Sequence, residues 1–148
     1  MPIARRPTSF FTPQVGWKEY VMLPRFGIGP IVAKIDTGAR SAALHADNIK
    51  VSGKSVSFAV RSHGKAIRHK APLLSLKRVK SSNGQSEERP VIEAVILIGG
   101  KPIRAEITLT DRKDMGVAML LGRNTIKDHF LVNPARTFVL SRKTKALT

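Results

Sequence analysis

Asp36 closes an apolar run, Ala33-Lys34-Ile35-Asp36-Thr37-Gly38-Ala39. The run delivers a carboxylate onto a tight turn, with glycine following where backbone must come close to something else. Such a carboxylate can be an ordinary turn residue accepting backbone N–H bonds. It can also take a proton from water if a second carboxylate beside it holds the shared proton. The tripeptide Asp-Thr-Gly alone is weak evidence, because ordinary residue frequencies produce it by accident in roughly a few per cent of chains this long. A second run, Ala118-Met119-Leu120-Leu121-Gly122-Arg123-Asn124-Thr125-Ile126, carries a buried strand into a glycine and then a short helix. In isolation it reads as a core strand with a glycine turn.

Metal chemistry finds less support. His45 and Asp47 are two apart on an expected strand and so share a face. His63, His69 and His129 are scattered, and no His-Glu-x-x-His pattern occurs. Zinc needs three or four ligands at usable spacing, so no metal is expected and no other cofactor is implied. The absence of cysteine excludes disulfides, thiolate zinc sites and a cysteine nucleophile. It fits a reducing compartment.

The elements that must position these residues read as β throughout. Short runs rich in Val and Ile are punctuated by Gly, Pro, Ser and Asn. Strands are expected at Trp17–Leu23, Ile31–Asp36, Ala42–Ile49, Val56–Arg61, Leu76–Lys80, Val91–Ile98 and Ile103–Leu109. A last one is expected at Phe138–Leu140. Ser81-Ser82-Asn83-Gly84 reads as a hairpin tip, and Gly99-Gly100 as a tight turn beside Pro102. Ile103, Ala105, Ile107 and Leu109 alternate with Arg104, Glu106 and Thr108, predicting one buried and one wet face. Helix is expected only at Asn124–His129. Many short strands at regular spacing predict an all-β fold, a small barrel or sandwich.

The chain has 148 residues, 42% of them hydrophobic and 24% charged, the balance of one soluble globular domain. The expected organisation is a disordered leader over 1–15, a barrel domain over 16–141 and a basic tail over 142–148. No run has the apolar length of a signal-peptide core or a membrane span, so a cytoplasmic protein with no membrane partner is expected. The net charge of +16 is unevenly spread. No acidic residue lies between Asp47 and Glu87, where Lys50, Lys54, Arg61, Lys65, Arg68, Lys70, Lys77, Arg78 and Lys80 all fall. Such a field attracts polyanions: RNA, an acidic protein tail or an anionic surface. A solvated basic face is the plainer alternative.

Taken together, the Asp36 and Gly122 segments resemble the paired signature of retroviral-type aspartic peptidases. More of the chain is similar to a bacterial family labelled ATP-dependent zinc proteases, whose members are also described as retropepsin-like. The resemblance is carried by Trp17, Leu23-Pro24, Gly27-Ile28, Lys34 to Ser41, Ala43 to Ala46, Ser82, Gly84, Glu87, Arg89 to Ile92, Leu109 to Arg112 and Met119 to Arg123. It implies a closed acid-protease-type barrel with one short C-terminal helix. It also implies a homodimer in which Asp36 meets its symmetry mate, because an aspartic peptidase needs two carboxylates and this chain has one Asp-Thr-Gly.

The site set implied is Asp36, Thr37 and Gly38 as catalytic. Ala39, Arg40, His45, Ser82, Gly84 and Arg89 are implied as substrate-binding, and Leu121, Gly122 and Arg123 as supporting. Thr37 would lock the two turns through its hydroxyl, and Gly38 would leave room for substrate backbone. Arg40 departs from the viral pattern. Either it sits beside Asp36 and favours the ionised carboxylate, or it turns outward to bind an acidic substrate side chain. Some family members are linked to ATP-grasp ligases that add glutamates to protein tails, which implies an aspartic endopeptidase trimming acidic or glutamate-rich tails. Two other readings stand beside it: a non-catalytic basic barrel binding RNA or ribosomal surfaces, and a zinc metallopeptidase. Against the RNA reading, aromatics make up only 5% of the chain and offer no stacking platform for bases.

Overall fold

The computed structural model describes residues 12–80 and 83–141. Twelve strands run in chain order. They are β1 (Gln14–Gly16), β2 (Lys18–Leu23), β3 (Ile28–Ile35), β4 (Ala42–His45), β5 (Asp47–Ser52), β6 (Ser55–Ser62), β7 (Lys65–Pro72), β8 (Ser75–Lys80), β9 (Ser86–Ile98), β10 (Lys101–Thr110), β11 (Met119–Leu121) and β12 (Leu131–Asn133). A single helical turn, α1 (Arg123–Ile126), follows β11. The fold is all-β, with a closed barrel.

Closure follows from the pairing. The order β10-β4-β11-β3-β2-β9 is joined into a ring by the antiparallel β9–β10 ladder, and β8 hangs on the outer half of β9. The ring leaves no free edge among its own strands. Inward-facing residues alternate along each strand, and Leu44, Ile92, Ile96, Ile98, Ile107, Leu109, Met119 and Leu121 fill the interior. Gly99 and Gly100, at φ 56° and 82°, make the two-residue β9–β10 turn, and the ladder runs on through Pro102 opposite Leu97.

Several expected elements move. The run from Ala42 to Ile49 is two strands: β4 belongs to the barrel, and beyond Ala46 the chain crosses into a small sheet of order β5-β6-β7. β7 had no apolar pattern to announce it, being mostly exposed. The expected wet face of β10 holds at Arg104 and Glu106 but fails at its end, where Thr108 and Thr110 are buried at 6% and 3% exposure. There β10 lies alongside β4, pairing Thr108 with Ala43 and Thr110 with His45.

Helix α1 is one turn shorter at its far end than expected, and begins one residue earlier. β12 pairs in parallel with β1, so Gln14–Gly16 is ordered strand with Val15 fully buried, and the leader expected over 1–15 does not reach that far. Residues 1–11 and the tail 142–148 lie outside the described residues.

The segment Phe138–Leu140 is not a strand. It is fastened by Glu19, whose buried carboxylate accepts N–H bonds from Gly16, Val139, Leu140 and Ser141 and the hydroxyl of Ser141. Phe138 stacks on Tyr20 at 4.5 Å between ring centroids. Among the described residues no helix is long and apolar enough to cross a membrane.

Candidate functional site

Three strands deliver the Asp36 turn. β11 runs parallel to β3, pairing Leu121 with Ile35, and antiparallel to β4, pairing Leu120 with Ala43. The ladder extends one step past the strand, where Asp36 N–H donates to the Leu121 carbonyl at 2.9 Å. The turn then closes on itself. Ala39 N–H donates to the Asp36 carbonyl at 3.1 Å, and Gly38 N–H to Asp36 Oδ1 at 3.0 Å. The two expected motifs therefore meet as one structure.

Gly122 is the contact point. Its Cβ position lies 2.6 Å from both the N and the O of Ser41 and 2.7 Å from the carbonyl carbon of Arg40, so only glycine fits. Beyond it, Arg123 N–H donates to Ala39 O and Asn124 N–H to Arg40 O, each at 2.9 Å. Arg123 Nη1 donates to the Thr37 carbonyl at 3.0 Å. The first turn of α1 thus spends its unpaired N–H groups on the loop that follows Asp36.

Asp36 is half-buried, while Thr37, Gly38 and Arg40 are exposed, so the turn stands at the surface. Among the described residues Asp36 forms no ion pair. Arg40 lies with Arg123 and Lys127 around a recess of about 350 Å³ that also borders Thr37, Asn124 and Ile126. Arg40 is exposed and forms no ion pair with Asp36 among the described residues. Asn124 and Lys127 were not singled out from sequence. Their place follows from α1, which brings residues one and four positions after Arg123 to the same recess.

The β8–β9 hairpin reaches across to the same loop: Lys77 Nζ donates to Ser41 Oγ at 3.3 Å. Gly84, at φ 87°, sits near the hairpin tip, while Ser82 lies outside the described residues. Arg89 is paired with Glu87 and borders a separate recess of about 360 Å³ with Leu76, Pro90 and Leu109.

His45 is held elsewhere. Its Nδ1 accepts the N–H of Arg112 at 3.1 Å, and its Nε2 faces Asp47 Oδ1 at 3.7 Å. With Asp111 it forms a trio whose ligand atoms lie within 4.8 Å of one another, the one such group among the described residues. The donors do not fit zinc as arranged. A neutral imidazole has one free lone pair, and here the Arg112 N–H occupies it. The Lys113 ammonium stands 3.9 Å from Asp47 and 4.0 Å from Asp111, already balancing both carboxylates. Asp111 was missed as a neighbour because it joins the other two only through the β4–β10 pairing.

A sequence model of the RimB-like family, described as retropepsin-like aspartic endopeptidase RimB, matches residues 14–143. That description names neither zinc nor ATP. A probable alpha-L-glutamate ligase of Shewanella pealeana is 37% identical over 137 residues, covering 87% of this chain and 30% of that protein. A protein of the same name from Desulfotalea psychrophila is 32% identical, covering 88% and 30%. The chain thus spans about 30% of the length of these curated relatives. A crystal structure of a Legionella pneumophila protein of unknown function has a TM-score of 0.73 and 31% identity, covering 87% of this chain and 98% of that one.

Proposed function

This chain belongs to the RimB-like family of retropepsin-like proteins, and from that premise we propose that it is an aspartic endopeptidase whose site is completed by a second copy. The observation that carries the reading is the Asp36 turn itself. It is a carboxylate at the surface, clasped by Gly38 N–H on one oxygen and buttressed from below by β11 and Gly122. Across a two-fold axis the same turn would face its mate.

Two carboxylates about 3 Å apart cannot both ionise, so the pair keeps one proton and shares it. The ionised member takes a proton from water, the protonated one polarises the peptide carbonyl, and no covalent intermediate forms. Thr37, exposed on the turn, would lock the two copies through its hydroxyl, and the open side of Gly38 would admit substrate backbone.

The substrate class we propose is an acidic or glutamate-rich protein tail. Support comes from the recess of Arg40, Arg123 and Lys127 beside Thr37, and from relatives that carry this domain within probable glutamate ligases. A glutamate ligase would be the natural partner activity, making the tails that this domain shortens. The test is cleavage of a glutamate-rich peptide by the wild-type chain and by Asp36→Asn, with circular dichroism as the check on folding. Loss of cleavage with the fold intact is expected. Retained cleavage removes Asp36 from the mechanism, and a sedimentation mass of one chain under cleaving conditions removes the dimer.

A further inference from the structure

The small sheet β5-β6-β7 ends in β7, which forms no ladder with the barrel although it approaches β9. β7 pairs with β6 from Ser55↔Pro72 to Ser62↔Lys65, and with no other strand among those described. Alternate N–H and C=O groups of β7 therefore point away from the sheet. The pairing register assigns the faces, since directly paired residues lie on one side. Lys50, Ser57 and Lys70 form one row of the outer face, and Asp47, Ala59 and Arg68 form the next, with Asp47 on the far strand β5. Arg68 is fixed there by bonds from Nη2 to Ser57 Oγ at 2.9 Å and to the Asn48 carbonyl at 3.3 Å.

On the inner face, Val60 is 2% exposed, yet its partner Ile67 on β7 is 46% exposed, left open on the side where a next strand would lie. An open depression of about 410 Å³ lies at the Ser55–Pro72 end of the β6–β7 ladder, lined by Lys54, Ser55, Lys70, Ala71 and Pro72. β6 and β7 contain no carboxylate.

We propose that the free edge of β7 is a docking strand for an extended peptide whose acidic residues alternate with apolar ones, added as a fourth strand of the small sheet. Residues two apart on a strand stand about 6.8 Å apart on one face. The acidic residues of an added strand would therefore meet Arg68 and Lys70 as cross-strand pairs, each Cβ about 5 Å from its partner. The apolar residues would fall on the other face, beside Ile67. Strand addition supplies main-chain hydrogen bonds, and the alternating faces supply selectivity.

A second copy of this chain fits poorly, because pairing β7 with itself sets Lys65, Arg68 and Lys70 against like charges. RNA would answer the cations but would leave the main-chain edge and Ile67 unused, and the floor of Ser57, Ala59 and Ala66 offers no ring to stack on. The edge shares no residue with the Asp36 turn, so it stands or falls independently of hydrolysis.

The experiment is a fluorescence anisotropy titration of the full chain with a labelled peptide alternating Glu and Val. Lys70→Glu is expected to weaken binding about ten-fold or more, while Lys50→Glu, on the same face at the far edge, changes it by less than about three-fold. Peptides N-methylated at every second amide, made in both phases, test the backbone on the unaltered chain. One phase is expected to lose about ten-fold or more and the other to bind normally, because only alternate amides face the edge. Absence of binding overturns the proposal. So do equal losses at Lys50 and Lys70, indifference to methylation in both phases, or displacement of the peptide by an RNA of equal charge that binds more tightly.

Discussion

The guanidinium of Arg123 donates to the carbonyl of Thr37 at 3.0 Å, tying the first residue of the helix to the residue that follows Asp36 in the turn. The bond is exposed, so its effect on global stability is small, about 0.5–1 kcal/mol. Its effect on the turn is larger, because it fixes a carbonyl one residue from Asp36. Arg123→Lys keeps the charge but not the planar fork. We expect kcat to fall about ten-fold with KM little changed, since misplacing a catalytic group by even a fraction of an ångström costs rate. Steady-state kinetics on an acidic peptide, alongside thermal unfolding, checks it; an unchanged kcat removes Arg123 from the support of the turn.

Gly122→Ala should be strongly destabilising. The new methyl would sit 2.6 Å from backbone atoms of Ser41 and 2.7 Å from backbone of Arg40, which are not flexible side-chain ends. Either β11 or the Ala39–Ser41 loop must move. A loss of about 2–4 kcal/mol is expected, at the upper end of overpacking costs. Urea unfolding measures it, and a midpoint within error of wild type contradicts the packing described.

How legible all this was depends on where each interaction runs. The Asp36 and Gly122 segments could be read because each is local: an apolar strand, then a glycine at a close approach. Their meeting could not, because the β3–β11 and β4–β11 pairings join residues some eighty apart. β7 went unread for a different reason. Its side chains are mostly exposed, so no hydrophobic alternation marks it, and only its ladder to β6 makes it a strand. The strand expected at Phe138–Leu140 failed because the N–H groups of Val139, Leu140 and the following Ser141 are taken by one side chain, Glu19, and nothing in the local sequence announces a partner about 120 positions earlier.

Stability should carry a pH dependence from His69. Its ring packs against Phe26 and Phe58, with centroids 5.6 Å away in each case, and burial pushes its pKa below the usual value of 6.5. The unfolded chain then binds a proton that the folded chain resists. Stability from this source is present above about 6.5 and is lost as pH falls through the lowered folded value. Replacing His69 with Phe removes the titration. The difference in unfolding free energy between wild type and variant is expected to be flat above neutrality and to grow against wild type on acidification. A difference independent of pH between about 5 and 8 contradicts it.

Glu19→Gln tests the clasp that holds the Val139–Ser141 segment to β2. The Glu19 carboxylate is fully buried and only accepts, taking N–H bonds from Gly16, Val139, Leu140 and Ser141 and the hydroxyl of Ser141 at 2.6 Å. Glutamine keeps the shape but turns one oxygen into an NH₂ donor that faces other donors. At least one N–H must lose its acceptor, at a carboxylate position that is itself fully buried. A loss of about 2–3 kcal/mol is expected from the stranded groups and the lost charge assistance. Amide hydrogen exchange should rise first at Val139, Leu140 and Ser141, where the carboxylate is the acceptor, while the β9–β10 ladder keeps its protection. Equal loosening of both would mean that Glu19 stabilises the barrel as a whole rather than holding this segment against it.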